Sequence, residues 1–526
     1  MKKTYLLLML SAVMAVSCDM DMEPYDALPD TEALNSPTTF QSARTALYSG
    51  LKSSIAGDFY NAPEIQCDGF DAVTGFSNTL GEMYRWTFTS QTTTFDAIYG
   101  NYQALIARAN FIIDSYNRTD FSNTGIFPEQ ATSTNPGMPA VRTAKGDAFF
   151  IRAYSIFMLS QYFCADYEEA TANEENSGVS YRLDYAPSSD PATYPARYTL
   201  KETFDQIYND LDSAAKYVVN TNATDNYYIS TDAIRALRAR AALARGDYET
   251  AANEAERLIY SGKYELAKTP EDLEDLWLYD GYSGAALQQG TLRINDTETI
   301  LKLPTQSESD LPYATGTLYQ AQTQGANPDY IPTQTLVNLY SAYDYRFPVY
   351  FTTSDIATTN GAIGTVYSFN KYPIYGTLYQ ITAGSSYALG CAEPKVFRIA
   401  EMYLIAAEAY ANIPGGLQTA SDYLNDLEQA RIQGYRRRTF ATKEDLMAEL
   451  MDERQREMVG EGTRLFDIKR WHIDMERGVP QQETLCLLPG VGTTIMNVDA
   501  DSPTLTWPIP KHEIDVNPAI RQNPGY

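Results

Sequence analysis

Histidine is nearly missing from this chain of 526 residues, which has two, His472 and His512. Neither sits in a metal-ligand spacing such as HExxH, so the sequence offers no metal centre of that kind. No Ser-His-Asp grouping and no Gly-rich phosphate loop is visible, and no cofactor is implied. Cysteine is scarce as well: Cys18, Cys67, Cys164, Cys391 and Cys486 are far apart and form no CxxC pair. The last four would allow three disulfide pairings. A chain this long buries its core without such staples, so they are read as buried free thiols.

Basic residues are outnumbered, 40 Lys and Arg against 67 Asp and Glu, for a net charge of −27. Nucleic-acid binding depends on neutralising phosphates and is not expected of such a chain. Anionic headgroups would repel it, and the balance favours a neutral or cationic ligand. Long apolar runs are also lacking. The one stretch of note, Tyr5 to Val16, falls short of the roughly 20 residues of a membrane span. Behind Lys2 and Lys3 it reads as the core of a signal peptide. It ends in Ala15-Val16-Ser17-Cys18, which looks like a bacterial lipobox. Residues 1–17 would be removed and Cys18 lipidated, anchoring the protein to a membrane without crossing it. Loss of Lys2 and Lys3 takes the net charge from −27 to −29.

What the chain has in quantity is tyrosine, 41 against 20 Phe and four Trp. A tyrosine pairs a flat apolar face with a polar tip, which suits wet concave surfaces and sugar rings as well as half-buried helix packing.

Helical periodicity dominates once an acidic tether, 18–35, has passed. Ser36-Pro37 starts a helix carrying Phe40, Ala43, Leu47, Leu51 and Ile55. A loop is expected over roughly 57–95. Helices follow from Asp96 to Ile113, from Pro139 to Phe163, and after the Thr199/Glu202 capping box. Residues 232–261 form two Ala-rich helices joined at Gly246-Asp247, resembling a tetratricopeptide unit. A second such pair is expected over 396–433. Between them, residues 262–395 are crowded with Gly, Thr, Ser, Tyr and Pro. They read as loops and short strands laid over the scaffold, with helix confined to about 270–278 and 333–343. A run of that length without regular structure points to function. Helices resume at 397–412, 417–433, 443–459 and 463–475, and a Pro-rich non-helical tail closes the chain. The organisation is therefore a helical region at 36–261, a loop-rich insertion at 262–395 and a C-terminal helical region with its tail at 396–526.

Several of these segments resemble one family. RIAEMYLIAAEAY at 398–410, DERQREMVGEGTRLFDIKRW at 452–471, LVNLYSAYDYR at 336–346 and WPIPKHEIDVNPAIRQNPGY at 507–526 are similar to blocks of the SusD/RagB proteins. YGNYQALIARANFII at 99–113 and FFIRAYSIFMLSQYF at 149–163 fit that family's early helices. The chain departs from the pattern at Cys164-Ala165-Asp166-Tyr167, where most members have a Gly-Asp-Val-Pro turn. The resemblance implies a mostly α fold: an α-α superhelix of four tetratricopeptide-like helix pairs, with loop-rich, short-strand insertions that bind ligand. It also implies an oligosaccharide or peptide ligand that is not cleaved, and a SusC-like TonB-dependent transporter as partner in the outer membrane.

The carboxylates of 452–470 invite comparison with a glycosidase, which needs two flanking the bond. Arg454, Arg456, Arg464, Lys469 and Arg470 are interleaved with Glu453, Glu457 and Glu461. Such neighbours lower carboxylate pKa values, the reverse of what a general acid needs. An ion-pair network fixing the last helices is expected instead, with Glu401 and Glu408 likewise structural. Ligand binding is expected on two aromatic-rich loops held by the scaffold. The first, 58–86, offers Tyr60, Asp68, Tyr84 and Trp86, with Asp58, Asp71, Asn78 and Arg85 beside them. The second, 277–319, offers Trp277, Tyr282, Tyr313 and Tyr319, together with Tyr279. Trp471 and Trp507 fall inside the signature blocks and are expected to be buried. Four classes of function remain open at this point: a glycan receptor, a peptide or glycopeptide receptor, an enzyme on a helical scaffold, and a protein-binding scaffold.

Overall fold

The computed structural model describes residues 33–220, 226–277, 296–303, 318, 327–372, 394–487 and 497–526. Cys18 and Cys391 lie outside the described residues. No helix among those described is long and apolar enough to cross a membrane.

The fold is mostly α. Ser36 caps the first helix, Pro37–Ser53, with the reciprocal bonds of a capping box, and this helix lies on the long helix Gly137–Phe163. Thr93–Arg118 packs against both of these helices, and Leu200–Tyr217 continues the layer on Gly137–Phe163. Thr199 and Glu202 form the expected capping box for Leu200–Tyr217. The tetratricopeptide-like unit is Thr231–Arg245 and Tyr248–Ile259. Gly246 turns with φ +76° and Asp247 caps the second helix through the Thr250 N–H at 3.2 Å. Tyr248–Ile259 packs against Ile399–Asn412, so residues 260–398 are an excursion between two helices that are neighbours in space. Leu417–Arg431, Lys443–Met458 and Arg464–Trp471 complete the array.

The excursion supplies short antiparallel pairs. Phe351–Ala357 and Ile363–Phe369 form a hairpin. Thr299–Lys302 pairs with Lys395–Arg398, closing the base of the excursion where it returns to the helices. Phe70–Ala72 pairs with Tyr330–Pro332, joining the excursion to the N-terminal region.

Four sequence expectations are corrected, the last of them the burial of Trp471. Asp58–Gln66 is a helix, although a loop was expected there. Pro63 lies inside it and every residue from Phe59 to Gln66 is buried, so no amphipathic period marks it. The helix expected over 333–343 is limited to Gln334–Asn338, beyond which the chain turns to place Asp344 and Arg346 in the interior. The tail contains a short helix, Lys511–Val516. Trp507 is fully buried, whereas Trp471 is half-buried. Cys67, Cys164 and Cys486 are buried and free.

The family-like segments meet in the interior through their charges. Glu457 receives Arg346 Nη1 at 2.9 Å, Arg398 Nη1 at 2.8 Å and Arg431 Nε at 3.0 Å. Each of these arginines comes from a different segment, and all four side chains are buried. Glu298 joins Arg398 at 3.2 Å and Arg431 at 2.7 Å, while Glu461 joins Arg398 and Lys371, both at 2.6 Å. Asp344 and Glu453 hold the other side of Arg346, at 2.8 and 2.7 Å. The arginines depress Glu457 well below the usual carboxylate range, against the opposing effect of burial, and Glu461 is lowered in the same way. Glu401 and Glu408 are structural too, paired with Arg240 at 2.6 Å and Arg470 at 2.8 Å.

The C-terminal residues act as a strap. Asn523 Nδ2 donates to the Phe163 and Trp507 carbonyls at 2.8 and 2.7 Å. Arg197 donates to Asn523 Oδ1 at 2.7 Å. The Trp507 ring stacks on Tyr162, with centroids 4.6 Å apart.

Removing one partner of a buried, hydrogen-bonded charge set leaves the others uncompensated, at a cost of about 3–5 kcal/mol. Glu457→Gln should therefore lower stability to denaturant by about that amount, measured by urea unfolding followed by circular dichroism. A loss under about 1 kcal/mol would show that the arginines re-pair without it.

Candidate functional site

The carboxylate-rich segment 452–470 does not form an open acid pair. Its glutamates are buried and ion-paired, and Glu457 and Glu461 are held in the charged form. A cavity of about 50 Å³ does lie between the helices, lined by Tyr60, Tyr154, Arg240, Glu401, Arg454 and Asp467 among others. One water needs roughly 10–15 Å³ by this measure, so the cavity suits a few waters and is too small for a sugar ring.

The surface loop at 73–86, which holds the single helical turn Gly81–Tyr84, has a different character. It leaves the strand Phe70–Ala72, whose partner strand begins at Tyr330. The Val73 N–H donates to the Asp329 carbonyl at 2.9 Å, and the Thr74 N–H to the Leu485 carbonyl at 2.8 Å. The Ser77 N–H donates to Asp329 Oδ1 at 2.7 Å, and the Ser77 hydroxyl bonds to Oδ2 of the same carboxylate. Tyr330 returns a bond from its hydroxyl to the Thr79 carbonyl at 2.8 Å. Half-buried Phe76 packs edge-on against Tyr330, with centroids 5.5 Å apart.

Three non-glycine residues here have left-handed backbone: Asn78 (φ +66°), Leu80 (φ +54°) and Trp86 (φ +54°). Each such residue costs about 1–3 kcal/mol, and such strain gathers at ligand clamps. It is held in place from below. Trp86 is 8% exposed and its Nε1 donates to the Gln66 carbonyl at 2.9 Å. The Arg477 guanidinium lies 4.3 Å from the Tyr84 ring centre and donates to the carbonyls of Ile65, Phe70 and Tyr84 at 3.0, 3.0 and 2.8 Å. Burial raises Asp71, next to Tyr84 and Arg477, to about 7.

The strain presents a polar hook. Arg85 Nη2 donates to Asn78 Oδ1 at 2.5 Å, and its guanidinium carbon lies 5.8 Å from the Phe76 ring centre. A Cβ on Gly81 would stand 2.1 Å from Asn78 Oδ1 and 2.7 Å from Arg85 Nη2, so glycine is what lets the two side chains meet. Asn78 is exposed and Arg85 half-buried. An aromatic ring beside planar amide and guanidinium groups is a combination suited to sugar rings and their hydroxyls.

The residues singled out from sequence are placed as follows. Tyr84 (1% exposed) and Trp86 lie beneath the loop and support it. Tyr60 is on the wall of the small internal cavity. Asp68 forms a two-point pair with Arg464, at 2.9 and 2.5 Å. Trp277 is 1% exposed, with Lys371, Lys395 and Arg398 4.4, 4.6 and 4.9 Å from its ring centre. Tyr279, Tyr282, Tyr313 and Tyr319 lie outside the described residues. The structure thus brings Asn78 and Arg85 together and adds Phe76, which the sequence reading passed over. Its signal was the run Gly75-Phe76-Ser77-Asn78, a turn composition holding one aromatic.

Residues 313–526 match the family model described as SusD family, and residues 20–243 match the one described as "Starch-binding associating with outer membrane". The chain belongs to the SusD/RagB family. Two curated relatives of Formosa agariphila, SusD-like proteins P2 and P38, are 24% and 22% identical. P2 aligns over 100% of this chain and 99% of its own length, P38 over 99% and 98%. A SusD superfamily protein of Bacteroides thetaiotaomicron superposes with a TM-score of 0.73 at 22% identity, covering 93% of this chain and 100% of its own. A protein of Bacteroides vulgatus described as a putative sugar binding protein gives 0.71 at 22% identity, covering 94% and 99%. At these identities the structures establish the SusD fold.

The site's support includes a second titrating group in addition to Asp71. Glu64, buried in the helix under the loop, accepts the Gly462 and Thr463 N–H groups at 2.9 and 3.1 Å, and burial raises it to about 7. Gly462, with φ +73°, fits because a Cβ there would lie 2.8 Å from the Tyr60 Cα. A carboxyl raised on folding binds its proton more tightly in the folded state, so stability falls as pH climbs from its ordinary value toward 7. Glu64→Gln removes that loss. Relative to the parent, the variant should gain on the order of 3 kcal/mol between about pH 5 and about pH 8, read from paired unfolding curves. A stability difference constant across that range would show that Glu64 is not raised.

Proposed function

We propose that the protein is a lipid-anchored receptor on the outer-membrane surface. It binds oligosaccharides without cleaving them and delivers them to a SusC-like TonB-dependent transporter. Cys18, at the end of the lipobox, is the anchor. The observation that carries this reading is the Phe76–Asn78–Arg85 group, held in a strained loop by buried contacts to Gln66, Arg477 and Asp329. Preforming the surface removes an ordering cost that the ligand would otherwise meet. Family membership and the descriptions of the matched models and relatives point the same way. The enclosed, ion-paired state of the signature glutamates speaks against hydrolysis, since a general acid must reach its substrate with a proton to give. In this reading Tyr84 and Trp86 contribute from beneath, and the second loop, with Tyr282, Tyr313 and Tyr319, supplies further contacts.

Affinity electrophoresis against a panel of polysaccharides, with peptide pools in parallel, tests the reading. Retention by at least one glycan is expected, with no shortened sugars released. Phe76→Ala and Gly81→Ala should each weaken it by about tenfold, the loss of one well-made stacking or hydrogen-bonding contact. Binding to peptides alone, or release of shortened products, would overturn it.

A further inference from the structure

Arg85 differs from several of the arginines at the surface. Arg182, Arg437 and Arg438 each have a carboxylate at 3.1, 2.5 and 2.5 Å. Arg85 has a single hydrogen bond, to the neutral amide oxygen of Asn78, and it flanks the Phe76 ring. Among the described residues no carboxylate lies within ion-pair distance of it. The nearest acids by chain and packing are already engaged: Glu82 accepts from Thr92 at 2.6 Å, and both oxygens of Asp329 accept from Ser77. An unpaired guanidinium in a chain of net charge −27 is therefore a local exception to the global charge. Its bond to Asn78, made in the space that Gly81 leaves open, holds it in place.

From this geometry, and resting on the receptor reading above, we infer that the site selects glycans carrying an anionic group, a ring carboxylate or a sulfate ester. Arg85 is the residue that recognises the anion. Guanidinium groups bind such oxyanions through paired, charge-assisted hydrogen bonds, and the planar fork remains free to make one. The rest of the molecule's negative charge does not prevent this. Exposed charges more than about 10 Å away are screened at ordinary ionic strength, so the local cation governs the contact. Phe76 offers an apolar face to the same ring, and Asn78 fixes the guanidinium plane without neutralising it. The overall acidity predicts a neutral or cationic ligand, and the geometry of this loop reverses that expectation for the bound ring.

Titration calorimetry with defined oligosaccharides separates the possibilities. The probes are an oligogalacturonide, its carboxyl-reduced counterpart, a sulfated galacto-oligosaccharide and its desulfated counterpart. At least one charged probe should bind about tenfold or more tightly than its neutral counterpart, and the pair that shows the preference identifies the anion. Arg85→Gln should bring that ratio to about one, whereas Arg85→Lys should keep part of it. In the unaltered protein the same ratio should fall between low and high salt, a readout that needs no variant to fold. Equal binding of charged and neutral probes, or a ratio unmoved by Arg85→Gln, overturns the inference and leaves the receptor reading standing. Absence of binding by every glycan, neutral ones included, overturns both.

Discussion

The charged interior of this fold is tied together at Glu457. Three arginines, drawn from the segments 336–346, 398–410 and 417–431, converge on its two oxygens in an interior where none of the four side chains meets solvent. Their mutual attraction has to offset the desolvation of every member, which it does when geometry is good and remaining donors are satisfied. Here they are satisfied, by Glu298, Glu453, Glu461 and Asp344. A hydrophobic replacement of matching shape would serve stability as well. What the charges add is pairing: each arginine meets a defined set of acids, and that fixes which helix lies beside which. The result is a frame in which a long excursion, 260–398, leaves and returns at adjacent helices.

That frame reaches the surface loop through a small number of ties. The helix Asp58–Gln66 sits against the Gly462 turn just beyond Glu461 in the chain, with Glu64 accepting its amides. From the same helix the carbonyls of Ile65 and Gln66 receive Arg477 and Trp86. Left-handed backbone at Asn78, Leu80 and Trp86 persists because these contacts leave the loop little alternative. The strain in turn sets Asn78 and Arg85 side by side over Gly81. Stability in the core and shape at the surface are thus parts of one chain of constraints.

Much of this was legible in the sequence, and the parts that were not share a cause. Helices with one apolar face, such as Leu200–Tyr217 and Tyr248–Ile259, announce themselves by period and caps. Asp58–Gln66 does not, since it is buried on all sides and carries Pro63. The interleaving of acids and arginines at 452–470 pointed to an ion-pair network, but not to the partners, because Arg346 and Glu457 meet only through the tertiary fold. Trp86 and Trp277 stood out by residue type, whereas their burial is a property of what packs around them. Phe76, a single aromatic in a turn, carries no periodic signal. Asn78 and Arg85 were within the first loop, yet their juxtaposition depends on φ values that local composition does not specify.

The central claim is that a charge-paired helical frame holds the 73–86 loop ready-made as the ligand surface. Amide hydrogen exchange, compared between the free protein and the protein saturated with a bound oligosaccharide, tests it most directly. The account predicts added protection confined to 73–86 and the adjoining 327–332, with the helices around Glu457 already slow to exchange and unchanged by ligand. Protection appearing elsewhere while residues 73–86 exchange as before would contradict it.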